Sequence, residues 1–301
     1  MSPAREWSNA RMSPSKIGVL SNPNACLRCF WTLLRAKFKK PFSFPMPGIM
    51  FTLDAQEKAL VKAFVSRGER LPKYFGAFRD VVEIIPMRTV SGRHEETGLD
   101  LYGLPDLVLR LQSGEVLVID NKTAQPKDPD HPLYGMYVAQ LNFYAMVIAM
   151  MDPENAPTRL ALLNYAISGL DDEELYEMTS SDSMLARFKP VIQELTCNPA
   201  EIVEPLLRKV RKLIDATEPP AGAEGCKDCA ILASFSDCLS VNDSARGSWM
   251  TSQEQTQWLR LHDHRRLSAI DSVRQAQLDT VTAVAQAERP YGVLAAWAES
   301  E

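Results

Sequence analysis

The chain has 301 residues, 46% of them hydrophobic and 24% charged, a globular composition sufficient for one large domain or two ordinary ones and unlike that of a disordered protein. Its densest apolar run, Ala145 to Met151, is far shorter than the roughly 18 to 20 residues a bilayer span demands, and Arg5, Glu6 and Arg11 interrupt the N-terminus, so the reading is of neither a membrane protein nor a secreted one. The net charge of -5 averages two unlike segments, since residues 1–80 hold 14 Lys/Arg against 5 Asp/Glu (+9) and the rest 19 against 33 (-14). A basic N-terminal third can meet a polyanion locally, or the run from Arg35 to Lys40 is simply a solvated face.

Residues 1–19 are polar, Ser-, Pro- and Arg-bearing and without periodicity, which predicts a flexible leader. Cys26 to Phe38 places Cys26, Cys29, Phe30, Leu33 and Leu34 at helical spacing, and Pro41, Pro45 and Pro47 then break it. Thr52 or Asp54 caps a second expected helix through Phe64. From Val81 the pattern turns to short β-type runs at 81–85, 99–102, 107–111 and 116–119. A helix over 133–151 and a strand over 160–167 follow. Beyond Asp171 the expectation is helical, with one segment from Ser183 to Cys197 kinked at Pro190, another from Ala200 to Ala216, and a polar helical stretch over 251–301. The order predicts a mixed α/β fold, α+β in kind.

Charges at the ends of apolar strands need a reason. Asp106 stands in Gly103-Leu104-Pro105-Asp106, and Asp120 and Lys122 end the run Val116 to Lys122, on one face by the period of two. A two-residue Ser113-Gly114 turn would pair 106 with 121 and send Asp106 to the opposite face from Asp120. A three-residue turn, Gln112 to Gly114, would place Asp106 directly across from Asp120. Opposed like charges are destabilising unless neutralised, and a divalent cation would neutralise them while acidifying a bound water beside Lys122.

These residues resemble the PD-(D/E)XK nuclease superfamily and, within it, the RecB-like branch that includes the CRISPR-adaptation exonucleases and the AddB nuclease domain. Pro105-Asp106 is similar to the first motif, Asp120-Asn121-Lys122 to the second, and Gln140-Leu141-Asn142-Phe143-Tyr144 to the Gln-x-x-x-Tyr motif of the branch. The resemblance implies a restriction-endonuclease-like core, a central mixed sheet flanked by helices, over 20–240; it does not account for residues 241–301, which are expected as a C-terminal helical extension. It implies Asp106, Asp120 and Lys122 as catalytic residues, Asp106 and Asp120 as Mg²⁺ or Mn²⁺ ligands, and Gln140 and Tyr144 lining a DNA channel. The branch places a histidine in an upstream helix; here that helix offers only Gln56 and Glu57, while His94 reads as an exposed loop residue.

Six cysteines are too few for a disulfide scaffold, and the expected compartment is the reducing cytoplasm, so paired cysteines read first as metal ligands. Cys26-Leu27-Arg28-Cys29 and Cys226-Lys227-Asp228-Cys229 can form a tetrahedral zinc site. The resemblance offers instead a four-iron, four-sulfur cluster on Cys26, Cys226, Cys229 and Cys238; zinc would take Cys29 in place of Cys238. Cys197 reads as a buried apolar residue in a helix. The implied function is a metal-dependent DNA nuclease, an exonuclease on single strands or ends in repair, recombination or phage-type DNA metabolism, with a helicase or recombination partner. The alternative is a non-catalytic DNA-binding or assembly module that keeps the fold and the cysteine centre.

Overall fold

In the computed structural model, residues 11–38, 48–169, 172–177, 179, 182 and 186–234 are described. The chain divides into two units, Met1–Cys229 and Ala230–Glu301, and every element named below belongs to the first. Cys238 and the expected C-terminal helices lie outside the described residues. Strand β1 (Arg11–Met12) leads into helices α1 (Pro14–Val19), α2 (Leu27–Arg35) and α3 (Gly48–Ser66). Strands β2 (Val81–Ile84), β3 (Val90–His94), β4 (Leu99–Gly103), β5 (Leu107–Leu111) and β6 (Val116–Lys122) follow. Then come α4 (Pro132–Met151), β7 (Arg159–Ile167), α5 (Asp172–Glu177), β8 (Phe188–Leu195), α6 (Pro199–Ile202) and α7 (Glu204–Asp215). The fold is mixed α+β.

The five-stranded sheet runs β2-β5-β6-β7-β8 and is antiparallel except between β6 and β7. Parallel neighbours need a crossover, and α4 supplies it. Because side chains alternate across a strand, β6 feeds two cores. Val116 and Val118 pack with Leu141, Phe143 and Val147 of α4 on one face. Leu117 and Ile119 pack with Val61 of α3 and with Phe75 and Phe78 on the other. Burial on both faces explains why Val116 to Ile119 is continuously apolar instead of alternating.

Helix α4 is long and apolar enough to cross a membrane. Its packing against the large sheet, the β3 edge of the smaller β1-β4-β3 sheet and α1 accounts for that composition without one.

Four expectations change. The flexible leader does not extend through residues 11–19: Met12 and Ile17 are fully buried, and β1 pairs in parallel with β4. The helix expected over 183–197 is instead β8, paired antiparallel to β7 with Pro190 opposite Tyr165. Proline cannot donate to a ladder or to a helix, and β8 has a strand on one side only, the position that tolerates it. Cys197 accordingly follows a strand, half-buried, with its thiol 3.6 Å from the Pro157 carbonyl. Finally, Arg35 is drawn out of the basic run, for its guanidinium donates to the Ile214 carbonyl at 3.2 Å and to that of Ala216, at the carboxyl end of α7. A cation there completes the helix's unpaired carbonyls.

Candidate active site

The β5–β6 hairpin closes through Gln112 to Gly114: Leu111 N–H donates to Glu115 O at 2.9 Å, and Gly114 adopts φ +89°, the left-handed region that suits glycine. Leu107 then pairs with Ile119, and one step further along the ladder Asp106 faces Asp120. The three-residue turn is therefore the one found, and the two carboxylates are opposed.

Around them the side chains interlock. Asp120 is 4% exposed and forms an ion pair with Lys122. Gln140 ties the two together, its Nε2 donating to Asp120 Oδ1 at 3.3 Å and its Oε1 accepting from Lys122 Nζ at 3.1 Å. Asp106 Oδ2 accepts the backbone N–H of Asn121 at 2.9 Å, while Oδ1 accepts from Lys58 Nζ at 3.1 Å. Lys58 also reaches Asp54 Oδ2 at 2.8 Å, and Asp54 Oδ1 accepts from Asn121 Nδ2 at 3.3 Å. Helix α3 therefore contributes a third carboxylate, Asp54, which the sequence reading treated only as a cap. Its place four residues before Lys58 is the ordinary spacing of a helical ion pair and gave no signal of this role.

Three carboxylates here meet two ammonium groups. Burial pushes the Asp120 carboxyl up to about 6; Lys122 pulls against this, and Asp106 and Asp54 add like charge. Although burial opposes its charge, Lys58 is held above the usual lysine range by Asp54 and Asp106. An all-oxygen donor set gathered around a cation fits Mg²⁺ or Mn²⁺, hard ions that favour such ligands. The Lys58 ammonium stands between two of the three carboxylates, as a metal ion would.

Tyr144 shares the helix face of Gln140 but is only 6% exposed. Its hydroxyl donates to the Leu104 carbonyl at 2.9 Å, and its ring lies so close to Gly103 that a β-carbon there would stand 2.6 Å from it. Tyr144 thus clamps the segment that carries Asp106. Both motif residues also line a groove of about 410 Å³ with Ser13, Thr89, Tyr102 and Leu104. His94, expected on an exposed loop, is buried in β3 with Nδ1 2.9 Å from Thr97 Oγ1. Glu57 is 5% exposed, one turn beyond Asp54 on α3, and faces Tyr74 and Tyr165. Burial pushes its carboxyl up to about 8; the Tyr165 hydroxyl eases the charge, and Asp106 and Asp54 oppose it.

A second centre lies between α2 and the loop after α7. Cys26, Cys29, Cys226 and Cys229 bring their sulfurs within 4.8 Å of one another, with Cys26–Cys229 at 3.5 Å, Cys29–Cys226 at 3.6 Å and Cys29–Cys229 at 3.4 Å. Against the penalty of burial, the Ala223 N–H, 3.3 Å away, helps lower the Cys26 thiol to about 6. Burial and the neighbouring thiols push Cys29 up instead.

The sequence pattern of the PD-(D/E)XK nuclease superfamily matches residues 27–234. No curated protein matches the chain significantly. Among solved structures, SSO0001 is similar at 11% identity and a TM-score of 0.36, over 70% of this chain and 79% of that one. An alkaline exonuclease (LHK-Exo) from Laribacter hongkongensis is similar at 10% identity and a TM-score of 0.37, over 69% of this chain and 92% of that one.

Proposed function

The chain belongs to the PD-(D/E)XK nuclease superfamily, and from that membership we propose that it is a Mg²⁺- or Mn²⁺-dependent deoxyribonuclease of the RecB-like branch, acting on single strands or strand ends. The observation that carries this reading is the direct opposition of Asp106 and Asp120 beside Lys122, with Asp54 completing the oxygen donors. Asp106, Asp120 and Asp54 would hold the ion. A divalent ion bound there supplies Lewis acidity to the phosphodiester and an acidified water. Lys122, steered by Gln140 and Asp120, presents a fixed positive charge where negative charge grows on the phosphate. Tyr144 keeps Asp106 in place through Leu104. The setting that suits such an enzyme is DNA repair, recombination or phage-type DNA metabolism in a reducing cytoplasm, alongside a helicase or recombination partner.

Asp120→Ala should abolish Mn²⁺-dependent degradation of DNA with the fold retained, because a cluster of like charge is relieved. Lys122→Ala should leave Mn²⁺ binding largely intact by calorimetry while turnover is lost. Undiminished activity in the Asp120 variant would sink the assignment. The non-catalytic alternative draws support from Lys58, which already neutralises Asp54 and Asp106; it requires that wild-type protein bind DNA and leave it uncut at saturating Mn²⁺.

For the cysteines, the spacing favours a single ion. Four thiolates about 2.3 Å from one zinc stand roughly 3.8 Å apart, close to the 3.4–3.6 Å observed here. A four-iron cluster gives each thiolate its own iron and must spread them further. The centre is accordingly read as structural zinc on Cys26, Cys29, Cys226 and Cys229. A colourless protein with one zinc per chain supports this, whereas a brown protein absorbing near 400 nm, roughly where thiolate-ligated iron-sulfur centres absorb, selects an iron-sulfur cluster.

A further inference from the structure

Lys58 does more than a helical ion pair requires. It follows Asp54 by one turn of α3, the ordinary spacing of such a pair, and its Nζ stands 2.8 Å from Asp54 Oδ2. The same ammonium reaches across to the segment before β5 and stands 3.1 Å from Asp106 Oδ1. One positive charge therefore bridges carboxylates from two distant parts of the chain. Asn121 holds the other oxygen of each, its backbone N–H donating to Asp106 Oδ2 and its Nδ2 to Asp54 Oδ1. The Lys58 side chain is 34% exposed and that of Asp120 only 5%, so the ammonium lies nearer solvent than the buried end of the cluster.

In two-ion phosphoryl-transfer sites the divalent ions stand about 3.5–4 Å apart, and a carboxylate shared between them offsets their repulsion. Asp106 has that place here. On one side it opposes Asp120, where like charges call for a divalent ion; on the other it faces Asp54, where Lys58 already supplies the cation. Charge leads the same way. Three carboxylates against Lys58 and Lys122 leave one negative charge, and Glu57, whose carboxyl burial pushes up to about 8, stays mostly protonated near neutrality. One divalent ion and one phosphodiester then bring the cluster to neutrality, whereas a second ion would leave it in positive excess, partly out of water. Each carboxylate oxygen offers more than one lone pair, so Asp54 and Asp106 can ligate the first ion without releasing Lys58. A second ion between them would have to displace it.

We propose that Lys58 stands in for a second divalent ion: it limits the cluster to one and sets a fixed positive charge where a second ion would otherwise clamp the phosphate. This rests on the nuclease reading for the phosphate, while the count of ions can be read without any DNA.

The test is Mn²⁺ binding to the protein as purified, in buffer free of Mg²⁺ and of DNA, followed by calorimetry and by electron paramagnetic resonance. Wild type should take up one Mn²⁺ per chain and show the resonance of a lone ion. Lys58→Met, which keeps the length and removes the charge, should take up two, the first about tenfold more tightly than in wild type, and two ions at that spacing should couple magnetically and broaden the resonance. Lys58→Arg, which keeps the charge, should remain at one. Two ions in wild type, none in wild type, or a single ion in Lys58→Met overturns the inference, and DNA cutting by a wild type that binds two leaves the nuclease reading standing. The expected counts in a protein that cuts no DNA at saturating Mn²⁺ sink the nuclease reading and leave Lys58 as the resident cation.

Discussion

Gly103 has no room for a side chain, and the reason is Tyr144, whose ring would meet an added β-carbon at 2.6 Å. Gly103→Ala should therefore force the ring or the β4 backbone aside at about 1–3 kcal/mol. Tyr144→Phe keeps the ring and loses only the bond to Leu104, so it should lower stability by about 1 kcal/mol and lower turnover through the Asp106 segment, with Mn²⁺ affinity weakened alongside. Chemical denaturation and metal titration of the two variants separate packing from positioning. The buried carboxyls give a pH signature of definite sign. Glu57 rises from an ordinary 4.5 to about 8 and Asp120 from 3.8 to about 6, so the native metal-free protein holds protons that the unfolded chain has released. The resulting stability is full below about pH 4, falls as pH rises, and is gone above the native values. Glu57→Gln should flatten the upper part of that decline in melting curves recorded in chelator, and an equally steep fall in the variant would show that Glu57 is not its source. At this scale Asp106, Asp120 and Lys122 were legible because charge is conspicuous at the end of an apolar strand. Asp54 was not, since an aspartate four residues before a lysine on a helix looks like any exposed ion pair.

Elements were legible where local pattern and burial agree, and obscure where tertiary context decides. The β5–β6 hairpin could be narrowed on paper to two registers, and the left-handed Gly114 with its three-residue turn selects the one that opposes Asp106 and Asp120. The segment 188–195 offered no such handle. Paired with β7 as its one strand neighbour among the described residues, β8 shows a mixed burial pattern, and Pro190 reads as a helix kink until the partner strand is known. Its position is held from α4 by Asn142, a fully buried amide inside the Gln-x-x-x-Tyr motif. Nδ2 donates to the Val138 and Thr196 carbonyls, each at 2.9 Å, and Oδ1 accepts the Asn198 N–H at 2.7 Å. One side chain thereby joins α4, the end of β8 and the start of α6. Asn142→Leu is of similar size but strands a buried carbonyl and a buried N–H, so it should cost about 2–4 kcal/mol. Hydrogen exchange should report the loss first at 195–202 and leave the β5–β6 amides protected; uniform deprotection would mean that Asn142 serves the core at large and not this joint.

Across the molecule, charge and closure act over distances that no local motif encodes. The +9 segment does not behave as one basic face, since Arg35 is committed to the end of α7, while Arg11 and Lys16 lie over the ring of Tyr102 at 4.4 and 5.5 Å, beside the groove that ends at Gln140. If a single strand follows that groove, Arg11→Ala and Lys16→Ala should each reduce the salt dependence of binding by up to about 0.7 in log-log slope, and unchanged slopes would place the strand elsewhere. The cysteines close the chain over a far longer span. Cys29 and Cys226 are separated by 197 positions, with the sheet, α3 and α4 all lying between them in sequence. A bound ion that links α2 to the loop after α7 removes closure entropy from the unfolded chain, by up to about 5 kcal/mol for a loop of this size. Cys29→Ser and Cys226→Ser should therefore lower the melting temperature alike and by far more than Cys197→Ser, whose thiol lies by the Pro157 carbonyl at the edge of the core. Strong chelation should bring wild type down to the level of the ligand variants and leave those variants unchanged. A drop in the chelated Cys226→Ser protein as large as that in wild type would locate the stabilising ion elsewhere, with the three carboxylates as the remaining oxygen site.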